Sequence, residues 1–160
     1  MKAGAEFDLK PFGIRAMDSM RLEKSYRLIP REMSIEYSAF ESGLDRFVRF
    51  DKEDDFIGKA ALEAWQKRGS DNGFVTMEVL GVVDADARGS EAIYKDGEVV
   101  GRGTSGGYGW RCGKSLALGL VRVDLAKIGT ELEIEILGKK YQAIVIEESP
   151  FDPKHECLRS

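Results

Sequence analysis

The sequence contains a single histidine, His155, placed close to its end. That scarcity removes a Ser-His-Asp triad and any multi-histidine metal site, so no metal is expected. Its two cysteines, Cys112 and Cys157, stand far apart and belong to no spaced set. They imply free thiols in a reducing compartment rather than a disulfide framework or a zinc site. No apolar run approaches the ~20 residues that span a bilayer, so no membrane partner is expected. The opening MKAGAEFDLK lacks an apolar signal core, which points to a cytoplasmic protein. Positive charge is not in excess either: 24 Lys and Arg against 28 Asp and Glu give a net charge of -4, which argues against a nucleic-acid partner.

What is present is an ordinary globular composition, 42% hydrophobic, with length for one domain or two small ones. The first stretch, Gly13–Ser25, predicts a helix. Ile14, Met17 and Met20 recur at three-residue steps, with Met17 and Met20 expected as core contacts, while Asp18–Arg21 and Glu23–Arg27 are spaced for ion pairs. Leu44–Phe50 alternates as a strand would. Ile57, Ala60, Ala61, Ala64 and Trp65 trace a buried helical stripe, with Asp54 or Asp55 as the cap and Gly69 past the end. GSDNG at Gly69–Gly73 reads as a linker, giving one unit over 1–69 and another over 70–160.

Beyond the linker the pattern becomes that of strands: Phe74–Val83, Glu91–Tyr94, Glu98–Gly103, Ser115–Val123, Leu132–Leu137 and Tyr141–Glu147. In ELEIEIL, Leu132, Ile134 and Ile136 point one way and three glutamates the other. Asp96-Gly97 and Gly138-Lys139 mark hairpin turns. Short strands joined by turns predict a small antiparallel barrel or sandwich, so the chain as a whole is α+β.

Candidate chemistry is sparse. The glycine-rich run Gly101–Ser115 ends in Gly-Lys-Ser, but Tyr108 stands where a phosphate loop needs its first glycine, and a strand follows rather than a helix. The run reads as a loop with Tyr108 and Trp110 at its tip. Asp84 with Asp86 and Glu147 with Glu148 read as solvated faces. Arg15, Arg21, Arg27 and Arg31 could grip a carboxylate or polyglutamate tail through bidentate contacts, or form ion pairs with Asp18, Glu23 and Glu32.

Three segments, in order, carry a family likeness: GIRAMDSMRLEKSYR at Gly13–Arg27, DDFIGKAAL at Asp54–Leu62 and VGRGTSGGYGWRCGKSLALGLV at Val100–Val121. Together they resemble the C-terminal part of the aminomethyltransferase (glycine cleavage T-protein) family, in the branch fused to dimethylglycine and sarcosine dehydrogenases. The likeness runs to Leu158–Ser160, which resembles the family's C-terminal end. It implies that residues 1–69 form the later part of a folate-binding domain, with a helix lining the folate pocket, and that 70–160 form the family's C-terminal β-barrel. It implies tetrahydrofolate as partner, attack by a folate nitrogen on an iminium carbon, and FAD in a preceding flavin domain.

Two departures limit the transfer. The family's folate-contacting arginine aligns with Met17, and Arg15, two residues away, is turned by roughly 200° on a helix. Arg15, Met17 and Arg21 are therefore the folate-side candidates. The family's catalytic aspartate has no counterpart here, so no catalytic residue is assigned. The chain is expected to be a C-terminal portion that is inactive alone, binds folate weakly or not at all, and exposes apolar surface where a missing N-terminal half would pack, favouring a homodimer. The resemblance leaves open a non-catalytic docking module, or a folate-dependent demethylase of another methylated substrate.

Overall fold

The computed structural model describes residues 2–159; Met1 and Ser160, the last residue of the family-like C-terminal end, lie outside the described residues. After a 3-10 turn at Lys2–Phe7 comes α1 (Ile14–Glu23), a 3-10 turn at Asp45–Phe47, and α2 (Lys59–Arg68). Six strands follow: β1 (Asn72–Val79), β2 (Ala92–Lys95), β3 (Glu98–Gly109), β4 (Lys114–Arg122), β5 (Glu131–Ile136) and β6 (Lys139–Ile146). A short α3 (Glu156–Arg159) ends the described chain. The strands close into an antiparallel barrel in the order β1-β4-β3-β2-β5-β6, and β6 pairs back to β1. The fold is thus the α+β arrangement expected, a helical region followed by a small barrel.

Alternation in the sequence becomes inside and outside in the barrel. Val75, Met77 and Val79 of β1, Leu132, Ile134 and Ile136 of β5, and Ala143 and Val145 of β6 fill one core. β4 departs from simple alternation because both its faces are covered: Ala117 and Val121 join the barrel core, while Leu116 and Leu118 pack outward against Leu22 of α1. Leu22 is 1% exposed, and burying such a side chain contributes about 1.5–3 kcal/mol. The continuous apolar run SLALGLV is the signature of this two-sided strand.

The Asp96-Gly97 turn forms as expected, with φ of +52° and +84° at its two residues, the backbone of a type I′ hairpin. The next hairpin turns one residue earlier than expected, on Leu137-Gly138 rather than Gly138-Lys139, again with both φ positive.

Five local expectations are corrected. Leu44–Phe50 is no strand: its backbone closes locally, Phe47 N–H to Leu44 O at 3.0 Å and Val48 N–H to Asp45 O at 2.9 Å, and the closed barrel offers no edge to join. Met17 and Met20 are exposed rather than in the core, because α1 turns Leu22 and Glu23 to the barrel instead. The stripe on α2 is uncovered too, with Ile57 fully exposed and no helix residue buried. α2 begins on Gly58 in a left-handed conformation without a side-chain cap, although Gly69 does end it at positive φ. Most of the glycine-rich run is β3 itself rather than a loop; a Cβ at Gly106 would sit 2.5 Å from the Ala87 carbonyl oxygen, so the run lets two backbone segments approach.

Candidate functional site

α1 is fixed to the barrel at several points, and these set which face it turns outward. The Glu23 carboxylate, 2% exposed, accepts from Arg111 N–H at 2.5 Å and Cys112 N–H at 3.2 Å in the β3–β4 connection. Ser19 Oγ donates to the Tyr108 carbonyl at 2.7 Å. Just past the helix, Ser25 Oγ meets Thr76 Oγ1 at 2.8 Å, and Lys24 Nζ donates to the Phe151 and Asp152 carbonyls. The expected Glu23–Arg27 pair therefore does not form, since Glu23 serves backbone donors 88 and 89 residues away.

With that face held, Ile14, Arg15, Met17, Asp18 and Arg21 line a cavity of about 270 Å3 together with Leu28 and Arg31. All three folate-side candidates, Arg15, Met17 and Arg21, thus lie on one cavity. Its lining mixes apolar residues (Ile14, Met17, Leu28) with three arginines (Arg15, Arg21, Arg31). Its volume lies just below the ~300–1,000 Å3 that ligand pockets usually enclose.

The four arginines do not form one cluster. Arg21 donates Nε to Asp18 at 2.8 Å and Nη1 to the Tyr26 carbonyl at 2.8 Å, with Glu32 at 3.6 Å. Arg27 is withdrawn: it stacks on Phe74 at 3.8 Å, bonds the Ser42, Ser25 and Gly43 carbonyls, and grips both oxygens of Glu148. Arg31 donates to the Arg88 carbonyl at 2.8 Å. Arg15 has no acceptor among the described residues and keeps its donors available.

Buried carboxylates are what the sequence reading missed. Glu32, 0% exposed, accepts from Thr104 Oγ1 and Ser105 Oγ at 2.6 Å each and from Leu28 N–H at 2.9 Å. Glu41 exchanges hydrogen bonds with Ser38 and accepts from Asn72. Burial raises the Glu41 acid, but the Ser38 and Asn72 bonds outweigh it and hold it below the ordinary value. Ser38-x-x-Glu41 is the spacing of a capping box, and that signal was legible. The expected solvated carboxylates make no pair: Asp86 accepts from Ser115 Oγ at 2.6 Å, and Glu148 holds Arg27.

Among the described residues the glycine-rich run forms no flavin cradle. Gly101, Gly103 and Gly106 have the G-x-G-x-x-G spacing of a dinucleotide fingerprint, yet they lie inside β3, paired to β4, with no helix following. Among the described residues no group of His, Cys, Asp and Glu could hold a metal ion, and no helix is long and apolar enough to cross a membrane.

A closed six-stranded antiparallel barrel, with a helix pinned across β3 and β4 and an apolar-cationic cavity on that helix, defines the class. The model of the glycine cleavage T-protein C-terminal barrel domain matches residues 73–152, and that of the GCVT N-terminal domain matches residues 1–52. The chain belongs to the glycine cleavage T-protein family. Among its relatives, the mitochondrial dimethylglycine dehydrogenase of Homo sapiens is 41% identical over 148 residues, covering 92% of this chain and 17% of that protein. An aminomethyltransferase of Synechocystis is 38% identical over 136 residues, covering 85% of this chain and 36% of that one. The crystal structure of the glycine cleavage system aminomethyltransferase T from Bartonella henselae superposes with a TM-score of 0.86 at 23% identity, over 95% of this chain and 42% of that one, a likeness of fold. The chain therefore spans less than half the length of each of these relatives.

Proposed function

We propose that this chain is the C-terminal portion of a tetrahydrofolate-dependent aminomethyltransferase, from a protein of the dimethylglycine or sarcosine dehydrogenase type. The reaction is one-carbon transfer: a folate nitrogen attacks the iminium carbon, a second folate nitrogen displaces the donor amine from that carbon, and methylene-tetrahydrofolate, the free amine and a proton result. Arg15, Met17 and Arg21 form pocket wall, with Met17 presenting a thioether to the ring and Arg15 a guanidinium to the acid. Acid-base groups come from elsewhere in the protein, as does any FAD. The observation that carries this reading is the convergence of Ile14, Arg15, Met17, Arg21 and Leu28 on one cavity.

Calorimetric titration with tetrahydrofolate tests it. The chain alone supplies one wall, so binding weaker than micromolar is expected, with no turnover. Sub-micromolar binding by these 160 residues would contradict the partial-site reading.

A second reading is favoured by the uncovered apolar side chains Phe7, Phe12, Ile14, Ile35 and Ile57, all more than 65% exposed. On it the chain is a docking module that covers a neighbouring folate domain, and alone it self-associates to a homodimer through this surface. Light scattering at high concentration decides: a dimer is expected, and a clean monomer counts against the reading.

A further inference from the structure

Of the uncovered apolar side chains, Ile57 stands at the entrance to α2, at the head of a stripe. Ile57, Ala60, Ala61, Ala64 and Trp65 are spaced i, i+3, i+4, i+7 and i+8, and the first four are exposed. Lys59, Leu62 and Glu63 are half-buried instead. The helix therefore leans on its own chain with a mixed face and turns the apolar one outward, the reverse of a helix packed on its own core. Three alanines in the middle of the stripe let another helix approach closely, since the distance between packed helices follows the size of the side chains at the contact. Trp65, half-buried at the far end, belongs to the residue type that most often anchors an interface.

The charges flanking this stripe are polarised. Asp54 and Asp55 stand just before its start, and Lys67 and Arg68 close its last turn, all four exposed. Neither aspartate has a cation partner among the described residues. Arg68 reaches Asp71 only at 3.6 Å and lies over the Trp65 ring at 4.9 Å, which holds its charge beside the stripe. A stripe that is acidic at one end and basic at the other complements itself only when reversed. Two copies laid parallel oppose like charges at both ends. Laid antiparallel about Ala61, they set Ile57 against Trp65 of the second copy, and Asp54 and Asp55 against its Arg68 and Lys67. The helix dipoles also oppose favourably in that arrangement.

We infer that the outward face of α2 pairs with the same face of a second copy of this chain, antiparallel and centred on Ala61. The inference rests on the docking reading above and names the surface of its homodimer. The interface is isologous, each contact occurring twice about a twofold axis. A helix of ten residues is only about 15 Å long, so the pair buries little area and the association is weak, reversible and dependent on concentration.

Sedimentation equilibrium over a concentration series tests it. Ala61→Glu opposes like charges at the twofold axis, and it is expected to weaken association at least about tenfold with the circular dichroism unchanged. The double variants Lys67→Glu, Arg68→Glu and Asp54→Lys, Asp55→Lys are each expected to lose dimer when alone. An equimolar mixture of the two is expected to regain it, because only the mixed pair sets acid against base at both ends. A wild-type dimer that survives Ala61→Glu, or a mixture that stays monomeric, overturns the α2 interface and leaves the docking reading to another surface. A wild-type chain that stays monomeric overturns both.

Discussion

Glu32 accepts a hydrogen bond from the Thr104 hydroxyl at 2.6 Å, joining residues 72 apart in sequence. The same carboxylate faces Arg21 at 3.6 Å, and Arg21 lines the cavity on α1. Barrel strand and pocket wall thus meet on one buried charge, so the barrel's position and the pocket's shape are coupled through it.

Removing that carboxylate leaves Thr104, Ser105, the Leu28 amide and Arg21 without their common acceptor. Arg21 keeps Asp18, so the loss is that of buried donors left without an acceptor, about 1–3 kcal/mol. Urea unfolding of Glu32→Ala should show a loss of this size, and Glu32→Gln, which keeps an acceptor oxygen, a smaller one. A loss under ~1 kcal/mol in Glu32→Ala would mean that the network does not join the two parts.

The Leu137-Gly138 turn places an exposed leucine at φ of +49°. A left-handed backbone costs an ordinary L-residue roughly 1–2 kcal/mol, and asparagine tolerates it far better. Leu137→Asn should therefore raise the midpoint of thermal unfolding, by a stability gain of about 0.5–1 kcal/mol. A lowered midpoint would show that the leucine makes a contact that outweighs the strain.

Glu41 gives a pH dependence whose sign is fixed. Its acid is held below the ordinary value of 4.5 in the folded state. The stabilisation is fully present above 4.5 and is lost as pH falls through the lower folded value. Stability measured against pH should fall on that acid limb, and the fall should be shallower in Glu41→Gln. An identical limb in the variant would assign the acid sensitivity to other carboxylates.

The barrel was legible because each strand advertises itself locally. Glu131 to Ile136 alternates strictly, and Asp96-Gly97 has the residues a type I′ turn requires. The non-strand half was harder, since a helical stripe states only that a face is apolar and not that this chain covers it. Met17, Met20 and Ile57 followed core spacing and are exposed. Glu23 and Glu32 looked like ion-pair partners of the arginines and are buried, because they accept from backbone amides and hydroxyls that a linear reading cannot bring near. Of the candidate site, Arg15, Met17 and Arg21 could be named from sequence, whereas Leu28, beyond the end of α1, joins them only through the fold of the chain.

The central claim is that the outward face of α1 is a folate-pocket wall, and the methyl resonances of 13C-labelled methionine test it most directly. On titration with tetrahydrofolate to millimolar concentration, the Met17 methyl should shift progressively, while Met77, fully buried in the barrel core, stays in place. A Met17 resonance unmoved at the end of that titration would contradict the account.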